Sequence, residues 1–102
     1  MRSNEMGIQT ASCFPLRNIC GKWVSGWGSP DIRIFHDGMR FRLVYEYAPD
    51  AAFTFLLRTD SRGNTYFDYY GKMLLTYNSD EDLLTLSIEG NYIRAGEQPE
   101  NQ

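Results

Sequence analysis

From Gly21 to Ala95 the chain is a succession of short apolar–polar alternations cut by turn residues, and nothing there sustains a helical period over ten residues. Side chains on a strand point to alternate faces, so a period of two marks a half-buried strand. Residues 21–26 open the series around Trp23, and Gly28-Ser29-Pro30 breaks it. Residues 31–36 place Ile32 and Ile34 on one face and Arg33 and Phe35 on the other. Asp37-Gly38 then accepts the positive φ values of a tight hairpin. Residues 39–47 are the most regular run, with Met39, Phe41, Leu43, Tyr45 and Tyr47 on one face and Arg40, Arg42, Val44 and Glu46 on the other.

After a turn at Ala48-Pro49-Asp50, residues 52–59 align Phe53, Phe55 and Leu57, and residues 60–64 form a polar loop. Residues 65–70 are dense in aromatics and Gly71 bends them. Residues 72–77 and 83–89 follow, the latter with Leu84, Leu86 and Ile88 inward, and residues 91–94 close the series after Gly90. About eight strands at such regular spacing make an antiparallel meander. A meander must curl or close to cover its edges and inner face. The expected fold is therefore all-β, a small antiparallel barrel or strongly curled sheet.

At 102 residues this is one domain, large enough to bury about two-thirds of its unfolded surface without staples. An aromatic content of 15% opposes disorder, and a net charge of −3 opposes general polyanion binding. No run of 18 apolar residues provides a membrane span. The expected organisation is an N-terminal extension over residues 1–19, a barrel over 20–95 and a disordered polar tail over 96–102. The first twelve residues have no continuous apolar segment and do not read as a secretory signal, so a cytoplasmic setting is expected. Cys13 and Cys20 lie seven apart without a Cys-x-x-Cys pair; reduced thiols fit that setting better than a disulfide or redox pair. No metal or cofactor is expected.

Gly21-Lys22-Trp23 on the first strand and Arg94 on the last resemble the closure of the calycins, the lipocalin and fatty-acid-binding-protein superfamily. The resemblance implies that the Arg94 guanidinium covers the Trp23 indole and bonds to carbonyls at a closed barrel end, an arrangement in which the cation–π contact alone contributes about 0.5–2 kcal/mol. Three further blocks are similar to an uncharacterised family of small Bacteroides-type domains of unknown function, often carried near conjugative-transposon genes. They are Leu16-Arg17-Asn18-Ile19-Cys20-Gly21-Lys22-Trp23, the stretch from Pro30 to Gly38, and Asp82-Leu83-Leu84-Thr85-Leu86 through Gly90-Asn91-Tyr92-Ile93-Arg94. That family implies a lipocalin-like barrel and a mobile-element setting, and it supplies no catalytic residues. The chain is shorter than a lipocalin and has no room for a helical lid. A short-stranded barrel can be filled by its own side chains, so ligand carriage does not follow from the resemblance.

Catalytic residues are not expected. His36 sits beside Asp37, but strand neighbours face opposite ways and Asp37 serves the turn. Asn78, Asp80, Asp82 and Glu89 fall on calcium-loop positions, yet Leu83 stands where the loop requires glycine. Two binding surfaces remain. Arg33, Phe35, Arg40 and Arg42 can share the outer face of the first hairpin, a surface for a protein partner or self-association. As a single-strand nucleic-acid platform the same face is disfavoured by Glu46 and the negative net charge. Tyr45, Tyr66, Tyr70 and Tyr77 are the candidate lining for a small apolar or amphipathic ligand, against the plainer role of core and rim packing. The expected function is a non-enzymatic accessory or protein-interaction module, with a small lipocalin-like carrier as the alternative.

Overall fold

The structure, a computed structural model, describes residues 10–11, 14–48, 50–87 and 89–95. The expectations placed on Cys13, Pro49, Ile88 and the tail over 96–102 lie outside the described residues, as do those on residues 1–9.

The strands are β1 (Thr10–Ala11), β2 (Gly21–Ser25), β3 (Asp31–His36), β4 (Phe41–Ala48), β5 (Ala51–Leu56), β6 (Arg58–Thr59), β7 (Thr65–Asp68), β8 (Lys72–Asn78), β9 (Leu83–Leu86) and β10 (Gly90–Arg94). A 3-10 turn, Leu16–Ile19, precedes β2. All pairings are antiparallel, in the order β5-β4-β3-β2-β10-β9-β8-β7-β6, with β1 added to β8. Every neighbour in that order is also a neighbour in sequence except β2 and β10, whose pairing of Trp23 with Arg94 rolls the meander into a nearly closed barrel.

One seam stays unpaired. The run expected over residues 52–59 is two strands that change partner at Leu57: β5 pairs with β4, and β6 pairs with β7. Leu57 still donates its N–H to the Phe41 carbonyl, 3.0 Å away, and its side chain is buried.

The chain direction gives the barrel two unlike ends. One gathers the 3-10 turn, the β3–β4 turn, the loop over residues 60–64 and the β8–β9 turn. The other carries the loops over residues 26–30 and 69–71, Ser87 and Glu89, and the end of the β4–β5 hairpin at Ala48 and Ala51. Between them the alternating positions form the core. Ile32, Ile34, Leu43, Tyr45, Phe67, Leu75, Leu84, Leu86 and Tyr92 are buried, as the alternation requires. Ile19 from the 3-10 turn is equally buried, and Phe14 and Leu16 pack against the same cluster.

Three positions expected to face inward do not. Met39 is 86% exposed, because Asp37 Oδ1 accepts the N–H groups of Met39 and Arg40 and holds both in the turn. Tyr47 and Phe53 are 43% and 55% exposed. The β4–β5 ladder shifts register between Glu46 and Ala48, and β3 ends opposite Glu46. The hairpin tip thus runs past the end of β3, and its inner face is only partly covered by the described residues.

Candidate binding site at the open end

The end carrying the 3-10 turn is sealed. The Arg94 guanidinium lies 4.4 Å from the centre of the Trp23 ring, donates from Nη1 to the Cys20 carbonyl at 2.6 Å and from Nη2 to the Asn18 carbonyl at 2.9 Å. Its Nε donates to Asp82 at 2.7 Å, and Tyr77 donates its hydroxyl to the same carboxylate. Trp23 Nε1 donates to the Ile19 carbonyl at 2.8 Å, which fastens the turn beneath the indole. Gly21 is the third member of the group: a Cβ there would stand 2.9 Å from Arg94 Nη1. Gly21, Trp23 and Arg94 therefore meet, and the bonds to the Asn18, Ile19 and Cys20 carbonyls join the segment before β2 to the barrel. The charges respond accordingly. Arg94 lowers the Asp82 carboxyl below its ordinary range, and burial, then the Asp82 carboxylate, raises the Tyr77 phenol. Burial also raises the Cys20 thiol, an effect Arg94 partly opposes.

The opposite end is open and aromatic. Trp27, Tyr47, Phe53 and Tyr70 are 79%, 43%, 55% and 98% exposed, although rings of this size ordinarily seek burial. Phe53 and Phe55 from β5 face Asp68, Tyr69 and Tyr70 across the seam, and together they line a cleft of about 350 Å³. Its floor is a packed set of rings: Tyr69 lies 5.3 Å from both Phe55 and Tyr45, and Phe55 lies 5.2 Å from Phe67. Tyr47 and Tyr69 share a hydrogen bond of 2.8 Å between hydroxyls, which pushes the Tyr47 phenol up to about 12. Tyr92 donates to the Pro30 carbonyl at 2.9 Å. The hydroxyl of Tyr45, by contrast, is fully buried with no hydrogen-bond partner among the described residues. A buried donor left unsatisfied costs about 1–3 kcal/mol, so its presence beneath this end is a local weakness in the packing.

The four candidate tyrosines do not assemble. Tyr45 is in the core, Tyr70 stands on the rim of the cleft, and Tyr77 belongs to the sealed end. Tyr66 alternates with buried Phe67 and so lies on the outer wall, where the Lys72 ammonium sits 4.7 Å from its ring centre. Clustering in sequence gave density without a shared face. Tyr69, from the same aromatic cluster as Tyr66 and Tyr70, does line the cleft, whereas Phe53, Phe55 and Asp68 are lining residues that the sequence did not assign to a site.

The arginine face forms only in part. Phe35 on β3 is paired with Arg42 on β4, and Arg33 lies on the same outer wall. Arg40 is in the turn, exposed. Arg33 pairs with Glu46 at 2.7 Å, Lys22 approaches Glu46 and Asp31 at 3.7 and 3.9 Å, and Arg42 pairs with Asp37. Most of this charge is thus compensated within the wall, and the Arg42 guanidinium with two turn N–H groups holds the Asp37 carboxyl far below its usual range. The acidic template dissolves too: Asp82 faces Arg94, whereas Glu89 sits at the open end, its carbonyl accepting from Ser29 Oγ. Among the described residues no group of three or more His, Cys, Asp or Glu side chains converges as metal ligands do. His36 is exposed and uses Nδ1 to accept the Gly38 N–H. No helix of the described residues is long and apolar enough to cross a membrane.

The model of the family described as "Domain of unknown function, B. Theta Gene description (DUF3876)" matches residues 8–94. The chain belongs to this family. The matched span takes in the 3-10 turn and every strand from β1 to β10, so the sealed end and the aromatic cleft both lie within the family's domain. No curated protein and no solved structure matches the chain.

Proposed function

We propose that this chain is a non-enzymatic protein-interaction module, acting in the cytoplasm, that receives an apolar side chain of a partner protein in the cleft at its open end. One observation carries the reading: four exposed aromatic residues collect at a single end of a barrel whose interior is filled by its own rings. Exposed apolar patches with polar rims mark interaction sites. A cleft of about 350 Å³ is at the small end of ligand pockets and suits one anchoring side chain. An accessory role beside a conjugative mobile element comes from the family resemblance, and the binding reading does not depend on it. The second reading, a carrier of a small amphipathic ligand, is favoured by the apolar lining of the same cleft.

The test is a titration of isotopically labelled protein by amide chemical shift, using N-acetyl-leucinamide and N-acetyl-phenylalaninamide beside decanoate. The expected outcome is saturable shifts at Phe53, Phe55, Tyr69 and Tyr70 with the capped residues, lost in Tyr70→Ser, a substitution the exposed rim tolerates. Shifts with decanoate alone favour the carrier. Scattered, non-saturating shifts with all three probes overturn both.

A further inference from the structure

The hairpin that projects past the barrel rim leaves a bare strand edge, and its chemistry fits one occupant closely. β5 pairs only with β4 among the described residues. Because Leu57 donates its N–H to Phe41 on β4, the amides of Phe55 and Phe53 face β4 as well. Those of Ala52 and Thr54 therefore point away from it, toward the edge. β7 ends at Asp68, and β8 begins at Lys72, so among the described residues no strand lies beside the level of Ala51–Thr54. Natural edges carry a lysine, a proline, an inward charge or a very short strand to prevent pairing with another chain. The segment Ala-Ala-Phe-Thr-Phe-Leu has none of these, the register shift on β4 between Glu46 and Ala48 being the one irregularity of the hairpin, and Ala52, Phe53 and Thr54 are exposed.

We propose that this edge pairs with the same edge of a second copy, antiparallel about a two-fold axis at Ala52. The register is complementary at each position. Ala52 meets Ala52 of the partner subunit on the outer wall, where two methyl groups permit close approach. Ala51 meets Phe53 of the partner subunit on the inner face, a small residue against a large exposed ring, twice over. Asp50 meets Thr54 of the partner subunit, a carboxylate acceptor opposite a hydroxyl donor, again twice. Neither Asp50 nor Thr54 has a side-chain partner among the described residues. No like charges face one another, and a two-fold joint of this kind closes at two subunits. The joint makes the β4–β5 hairpins of two barrels one continuous sheet. Phe53 belongs both to this joint and to the cleft lining, whereas Ala52 at the axis belongs to the joint alone.

The experiment is a charge exchange at the axis, read by native mass spectrometry and sedimentation from ~1 µM to ~0.5 mM protein, the range in which modest interfaces dissociate. Wild type is expected to dimerise. Ala52→Lys and Ala52→Glu each set two like charges at the axis and are expected to weaken the dimer at least about tenfold, while melting as folded monomers. Mixed in equal amounts, the two variants are expected to form a heterodimer, recognised by its mass. A wild type that stays monomeric leaves the edge to some other protein and overturns the proposal. So does a dimer that either variant leaves unchanged, or a mixture that stays monomeric. The titration of the cleft, repeated on the monomeric Ala52→Lys variant, reports on the other reading separately.

Discussion

Arg94 and Trp23 stand opposite one another across the joint that closes the barrel, guanidinium over indole at 4.4 Å. The same guanidinium also bonds two carbonyls of the segment before β2 and the Asp82 carboxylate at 3.0 and 2.7 Å. A planar fork with five donors can serve all these partners at once; an ammonium cannot. Arg94→Lys is therefore expected to destabilise the fold by about 2 kcal/mol despite keeping the charge, lowering the melting midpoint by roughly 10 °C. Thermal unfolding by circular dichroism checks it, and an unchanged midpoint refutes the role of the fork.

Gly21 and Gly38 both have positive φ, at +128° and +100°, but only Gly21 lies under Arg94. Substitution to alanine at either position strains the backbone by about 1 kcal/mol. Gly21→Ala also forces its Cβ against Nη1 and is expected to cost clearly more than Gly38→Ala in urea unfolding. Combining Gly21→Ala with Arg94→Ala is expected to remove the difference.

Tyr45 and Tyr92 bury hydroxyls of opposite fortune. Tyr45→Phe deletes a buried donor that has no partner and is expected to raise stability by about 1 kcal/mol; Tyr92→Phe deletes the bond to Pro30 and is expected to lower it by a similar amount. Paired denaturant curves decide both signs.

Stability is expected to fall at both pH extremes for different reasons. The Asp82 carboxyl is held below its ordinary 3.8 by Arg94, so its contribution is complete above that value and lost as pH falls below it. Both side chains are partly exposed, which limits the effect to about 1 kcal/mol or less. The loss is expected to vanish in Asp82→Asn. Burial raises the Tyr45 and Tyr92 phenols, so the neutral forms stabilise the fold below about pH 10 and the contribution disappears as pH rises further. Ultraviolet titration is expected to show these two ionising only with unfolding.

Alternation places Ile32 and Ile34 inside and Arg33 outside, and the structure brings Gly21, Trp23 and Arg94 together at one end. What alternation cannot supply is whether a neighbouring strand exists to cover a face. Phe53 and Tyr45 share a face and a register, yet Tyr45 is buried and Phe53 is not, because the β7–β8 hairpin stops short of the hairpin tip. The partner change at Leu57 was equally hidden, since residues on both sides of it are extended and apolar by turns. The arginines looked available because their acidic partners, Glu46 and Asp37, become neighbours only through pairing of β3 with β4.

The cyclic order of the strands has a kinetic corollary. Each hairpin joins segments adjacent in sequence and can form on its own, whereas the bond from Arg94 to Cys20 spans 74 residues. Drawing so long a loop together carries an entropic cost that no local contact offsets in advance. Assembly is therefore expected to end with the pairing of β2 and β10, the strand pair most distant in sequence. A nascent chain is expected to stay an open ribbon until β10 has emerged to pair with β2.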